Sequence, residues 1–231
     1  MTALLDLRRV SATDGSGPGA SVHEIDLRVE AGEIVALVGP NGSGSTTVMR
    51  TVAGLVAPTS GDVELLGRVV ATTGGRARRS DVGRRARAGL GCVTEDRSLF
   101  PGLTVAEHLR LAAPRRGSAA VVDATIDELP MLAPLRDRRA GLLSGGEQQI
   151  LAIARMLAGR PRMAVVDEVG RGLSAAALTE VLDRFRRRAD RDGTGFLLVE
   201  QDVAAVLEVA DRTVEIDGGR MVRDGGGTSS P

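Results

Sequence analysis

Gly39-Pro40-Asn41-Gly42-Ser43-Gly44-Ser45-Thr46 packs glycines and hydroxyl side chains into one short stretch, directly after an apolar run. Glycines let successive backbone N–H groups turn toward one point, and a helix that starts at such a loop adds its positive end. The chemistry on offer is capture of a phosphate group. The Thr46 hydroxyl suits Mg²⁺, and Thr47 extends the same loop. The usual pattern, G-x-x-x-x-G-K-[ST], has a lysine where this chain has Ser45. Losing that charge-assisted hydrogen bond is worth roughly 1.5–3 kcal/mol, a ten- to hundredfold loss of phosphate affinity. Arg50 lies more than a turn into the following helix, too far along to replace the ammonium.

Two further segments could do chemistry. In Leu143-Ser144-Gly145-Gly146-Glu147-Gln148-Gln149, Ser144 and Glu147 have the spacing of a capping box, and Gly145 and Gly146 expose N–H groups at a helix start. This is a second anion-binding element, separate from the first. Met163 to Val166 reads as a buried strand ending in Asp167 and Glu168. One carboxylate there can hold Mg²⁺ and the next can orient an attacking water.

The elements that position these groups follow an alternating pattern. Strands are predicted at Leu5 to Val10, Val22 to Val29, Ile34 to Val38, Asp62 to Leu65, Gly89 to Val93, Met163 to Val166 and Phe196 to Val199. Helices are predicted at Thr46 to Leu55, from a capping box at Thr104, around Val122 to Leu129, and at Gly145 to Leu157, Ala175 to Arg188 and Val203 to Ala210. The pattern implies an α/β fold with a mainly parallel core sheet, an N-terminal antiparallel β portion and an inserted helical subdomain at about 104–140. Residues 1–224 form the folded domain, and the Gly/Ser-rich 225–231 is expected to be a flexible tail.

Composition narrows the function classes. The chain has 231 residues, with 30 basic and 30 acidic side chains, and every basic one is arginine. A net charge of zero argues against a general binder of nucleic acid or acidic membrane. The arginines between Arg76 and Arg87 (Arg76, Arg78, Arg79, Arg84, Arg85, Arg87) and those from Arg184 to Arg191 read as solvated faces. Cys92, the only cysteine, excludes an intrachain disulfide and reads as a buried apolar residue. No signal-peptide pattern and no run long enough to span a membrane is present, so a cytosolic location is expected.

With these residues in place, the chain resembles the ATP-binding cassette ATPases of ABC transporters over about residues 3–224. It is most similar to the shorter ATP-binding subunit of branched-chain amino acid importers. Glu95 to Val105, Leu143 to Ala154 and Leu198-Val199-Glu200-Gln201-Asp202 carry that likeness. The resemblance implies a P-loop NTPase fold in which Gly39 to Thr47 cradle the phosphates of ATP. It implies Mg²⁺ held by Thr46 and Asp167 with Glu95 nearby, Glu168 as general base, and Gln201 at the γ-phosphate. Ser144, Gly145, Gly146 and Gln148 would complete the site of a second ATP-binding subunit in a head-to-tail dimer. Membrane permease subunits would be the other partners and would hold the chain at the inner face of the cell membrane. No nucleic-acid partner is implied.

The departures from the family pattern concentrate on the chain's own ATP site. Ser45 replaces the lysine, Thr13-Asp14 offers no aromatic for adenine, and the loop Val169-Gly170-Arg171-Gly172-Leu173-Ser174 lacks the usual Pro and Ser. The groups lent to a partner are intact. The expectation is a subunit with impaired hydrolysis of its own, paired with a competent one. The alternatives are a non-catalytic scaffold and a cassette protein acting on DNA or ribosomes.

Overall fold

In the strands Ile34–Val38 (β3), Met163–Asp167 (β7) and Gly195–Glu200 (β8) every residue is buried. Apolar runs of this kind belong in the middle of a parallel sheet covered on both faces. In the computed structural model, which describes residues 3–15, 21–73, 79–113, 119–201 and 203–226, they lie side by side. The sheet order is β10-β9-β3-β8-β7-β6, with β6 at Leu90–Val93, β9 at Arg212–Asp217 and β10 at Arg220–Gly226. All neighbours run parallel except β10, which is antiparallel to β9.

Strand periodicity divides the core. Ile34, Ala36, Val38, Ala164, Val166, Phe196 and Leu198 face one apolar cluster. Val35, Leu37, Met163, Val165, Leu197 and Val199 face another. The first cluster is closed by the helices α3 (Val105–Ala112), α4 (Ala119–Glu128), α5 (Gly145–Ala158) and α6 (Ala175–Asp192). Phe185 of α6 stacks on Phe196 with ring centroids 4.7 Å apart. The second is closed by α1 (Ser45–Ala53) and a four-stranded antiparallel sheet, order β2-β1-β4-β5. Its strands are β1 (Ala3–Thr13), β2 (Ser21–Glu30), β4 (Pro58–Leu65) and β5 (Arg68–Thr72).

The antiparallel portion, the parallel core and the helical insertion match the expected architecture. Thr104 caps α3 with both arms of a capping box present. The insertion continues through short helical turns at Pro130–Leu135 and Ala140–Leu142, so it reaches a little past residue 140. The strands β5, β9 and β10 were not expected. Gly225 and Gly226, expected in the flexible tail of 225–231, instead pair with β9 as the end of β10, while the rest of that tail, Asp202, and the cluster members Arg76 and Arg78 lie outside the described residues.

One basic cluster needs correction. Arg79 to Ala88 is a helix, α2, and Arg85 on it is 3% exposed rather than solvated. Its Nη1 donates to the carbonyls of Thr51 and Val52, both at 2.6 Å, at the end of α1. A cation belongs at that end, because the last carbonyls of a helix are unpaired and carry partial negative charge. Arg84 is exposed and pairs with Asp81, as a solvated face would have it. Burial of the sulfur, then the charges of Asp167 and Asp96, push the Cys92 thiol up to about 12, although the residue as a whole is half-buried rather than buried as expected.

Candidate functional site

In an open parallel sheet, loops leaving the carboxyl ends of neighbouring strands converge on one crevice. Here β3 delivers Gly39 to Thr47, β8 delivers Gln201, β7 delivers Asp167 and Glu168, and β6 leads to Glu95. All of them line one cavity of about 280 Å³, together with Asp14, Arg50, Val199 and Glu200. The residues assigned from sequence to phosphate, metal and water are therefore gathered in one place.

The loop is held open by its glycines. A Cβ on Gly39 would sit 2.2 Å from the Ile216 carbonyl oxygen, and Gly44 has φ +106° with Val22 2.6 Å from its missing Cβ. The Gly219 N–H donates to the Ser43 carbonyl at 2.8 Å, so the β9–β10 turn braces the loop from below. Gly44 caps α1 with no side-chain hydrogen bond, and no acid sits in the first turn. The free N–H groups of that helix start are left for an anion. Ser45 is 8% exposed, and its hydroxyl bonds Ser43 Oγ at 2.9 Å.

Charge at the cavity wall is lopsided. Among the described residues, Asp14, Glu95, Asp167, Glu168 and Glu200 line it, against Arg50 as the only cation. Arg50 reaches the wall despite lying along the helix, and it is ion-paired to Asp14, which occupies the position without an aromatic. Asp167 is 2% exposed, and burial first, then the charges of Glu168 and Glu95, push its carboxyl up to about 6. A hydrogen bond with Thr46 works in the opposite direction. Asp167 Oδ1 is buried with no hydrogen-bond partner.

Glu168 has φ +48° and a side chain held from two sides. Gln201 Nε2 donates to Oε1 at 3.0 Å, and Arg171 pairs with Oε2 at 3.1 Å. The same Arg171 reaches Glu95 at 2.8 Å. Two buried or half-buried groups extend this network beyond the residues picked out from sequence. Gln149 donates to the Glu168 carbonyl at 3.0 Å and accepts from Arg97 Nε at 2.9 Å, while Arg155 donates to the carbonyls of Ser98 and Arg97. The segment after Glu95 is thereby tied to the backbone of the acid at the end of β7. Gln149 lay at the end of the segment Leu143 to Gln149 without a role of its own; its polar side chain on the inner face of α5 was the available signal.

Ser144, Gly145, Gly146 and Gln148 do not line this cavity. Ser144 Oγ accepts the Glu147 N–H at 3.3 Å, and Glu147 Oε2 accepts the Ser144 N–H at 2.7 Å, completing the expected capping box of α5. Gln148 donates to the carbonyls of Ala140 and Leu143, both at 3.2 Å. A Cβ on Gly146 would lie 2.4 Å from the Gly172 carbonyl oxygen, so the loop after Glu168 rests directly on this helix start.

Mg²⁺ suits the donors present. It takes few protein oxygens, keeping waters and ligand phosphates for the rest. Asp167 and Thr46 supply two oxygens beside the loop, and no cluster of three or more His, Cys, Asp or Glu exists among the described residues to form a cage.

Comparison with known proteins agrees with this arrangement. Residues 22–170 match the family model described as ABC transporter. The chain is 32% identical over 222 residues to a probable branched-chain amino acid transport ATP-binding protein, LivF, of Archaeoglobus fulgidus, covering 95% of this chain and 91% of that one. It is 36% identical over 208 residues to the molybdenum import ATP-binding protein ModC of Mesorhizobium japonicum, covering 87% of this chain and 54% of that longer protein. The fold superimposes on a dimeric post-hydrolysis ATP-binding cassette bound to ADP and Pi with a TM-score of 0.82 at 23% identity, covering 98% of this chain and all of that one. No helix among the described residues is long and apolar enough to cross a membrane. On the matched sequence, the fold and the converging site, the chain belongs to the ABC transporter family as one of its ATP-binding cassettes.

Proposed function

We propose that the chain is the ATP-binding subunit of an importer for a small solute, with branched-chain amino acids the class suggested by its LivF-like relative, and that its own ATP site is weakened. It works at the inner face of the cell membrane, as half of a head-to-tail dimer with a second ATP-binding subunit, on permease subunits that span the bilayer. The observation that carries the reading is the cavity itself. A glycine-rich phosphate loop, a metal-side pair and a held glutamate converge there, while the lysine position is a serine turned toward Ser43.

In this reading the N–H groups from Gly39 to Thr47 bind the nucleotide phosphates. Thr46 and the otherwise unpartnered Asp167 Oδ1 hold Mg²⁺, with Glu95 near them. When bound, the metal supplies positive charge to the phosphates and neutralises the surrounding carboxylates. Glu168 accepts the proton of the attacking water, and Gln201 fixes its orientation through the 3.0 Å hydrogen bond. Arg171 must leave Glu168 for that carboxylate to act as a base, since an ion pair lowers its basicity. Ser144, Gly145, Gly146 and Gln148 lie outside this cavity and contact the nucleotide of the partner subunit, for which the Ser144 and Gln148 side chains give up their present intrachain hydrogen bonds.

The second reading, a scaffold that binds no nucleotide, is favoured by the excess of carboxylates over cations around the loop. Two assays separate the readings. ATP hydrolysis is measured for the chain alone and for the chain mixed with an ATP-binding subunit encoded beside it, and Mg²⁺·ATP binding is measured directly. The proposal expects binding, little turnover alone and turnover in the mixture. Normal cassette turnover by the chain alone, unchanged in Ser45→Lys, would overturn the weakened site, and no binding would favour the scaffold.

A further inference from the structure

A second charged hollow lies at the opposite edge of the parallel sheet. Arg160 and Arg162 come from the turn entering β7, and Thr194 precedes β8, so this is the amino-terminal edge of the strands. The other wall is the outer face of α6, where Arg184, Arg187, Arg188 and Arg191 recur at helical spacing. Together they line a cavity of about 490 Å³, large enough for a small ligand.

Charge in this hollow is not balanced locally. Its two carboxylates, Glu128 and Asp192, both go to Arg188, at 2.7 Å and 2.9 Å. Among the described residues the remaining ion pairs of α6 belong to Arg186, and the other five arginines of the hollow make none. The Nε of Arg184 is buried with no acceptor. Some arginines elsewhere are matched to acids, Arg8 with Asp6 and Glu64, Arg136 with Asp123 and Arg212 with Glu33 and Asp224, but among the described residues only here do five arginines without an ion pair line one hollow. In a chain with no net charge, this concentration is local. Like charges at three- and four-residue spacing repel along a helix. The helix dipole accounts for cations in the last turn only, which covers Arg191 but not Arg184, Arg187 or Arg188. The planar fork of arginine matches phosphate in two-point hydrogen bonds, and several forks around one hollow suit several phosphates.

We propose that the hollow between α6 and the turn entering β7 is a binding site for a compact polyphosphate anion, distinct from the ATP cavity. The charge calls for two or more linked phosphates rather than a single one, and no base-recognising group is required.

The test is calorimetric titration of the full chain with sodium tripolyphosphate, without Mg²⁺ and at low salt. A Ser45→Asp background repels phosphate from the ATP loop and leaves the hollow untouched; an acid at the start of α1 is compatible with the helix. Saturable binding is expected in that background. It weakens at least about tenfold in Arg184→Gln/Arg187→Gln and equally in Arg160→Gln/Arg162→Gln, which alter opposite walls. Inorganic phosphate binds more weakly than tripolyphosphate. Absence of saturable binding, or binding abolished by Ser45→Asp and kept by both arginine pairs, overturns the proposal. So does arginine-dependent binding to phosphatidylglycerol vesicles without tripolyphosphate binding, which would identify a lipid surface as the occupant.

Discussion

Asp167 and Thr46 meet beside the phosphate loop, and their chemistry sets how the site behaves without ligand. Buried among Glu168 and Glu95, Asp167 resists ionisation up to about pH 6, whereas in the unfolded chain it ionises near pH 4. Folding therefore takes up a proton between these values, and stability falls as pH rises through that window. At pH 7 the folded chain carries the full penalty. Asp167→Asn removes it, and is expected to stabilise the nucleotide-free protein by about 2 kcal/mol at pH 7 and by much less at pH 4.5. Urea unfolding at both pH values checks this; an equal gain at both, or none at pH 7, contradicts the burial argument. The same crowding of carboxylates explains why Ser45 matters. A lysine would be the natural counter-charge, and Arg50 is already engaged with Asp14.

At the scale of elements, the two helix starts differ in what they leave available. The N-terminus of α1 has no side-chain cap, while that of α5 spends Ser144 and Glu147 on its own backbone. The first is open to an anion from within the chain. The second leaves Gly145 exposed and holds Gly146 against the Gly172 carbonyl, so the loop following Glu168 is in direct contact with the start of α5. The other end of α1 depends on α2, through Arg85. Its two hydrogen bonds end on the last carbonyls of α1, those of Thr51 and Val52, and burial holds the guanidinium below its ordinary pKa. Arg85→Met is expected to destabilise the chain by about 1–3 kcal/mol, read as a lower urea midpoint. A change below about 0.5 kcal/mol would mean that water replaces the guanidinium. Arg87→Met, on an exposed position of the same helix, serves as control.

For the whole molecule, most of the core and nearly the whole site were legible because strand ends carry the chemistry. Ile34–Val38 and Met163–Asp167 announce themselves by apolar runs that break into glycine or acid, and their neighbours in the sheet follow from the alternating pattern. The β9–β10 hairpin was missed although Val214 and Ile216 alternate with Glu215 and Asp217 around Gly218-Gly219, a short edge signal between charged residues. Arg85 was misjudged for a physical reason. Periodicity tells which helix face is polar, but what covers that face comes from distant segments, here α1 for Arg85. Arg171, seen only as a departure from a loop pattern, became a partner of Glu95 and Glu168 once the fold closed.

The central claim is that a serine at the lysine position leaves this cassette with a weak nucleotide site of its own. Mg²⁺·ATP affinity of the purified chain, compared between wild type and Ser45→Lys by calorimetry, tests it most directly. The added lysine is expected to tighten binding by about ten- to a hundredfold, the value of one charge-assisted contact to phosphate. Equal affinities, within about twofold, would contradict it, because such a difference is worth less than 0.5 kcal/mol.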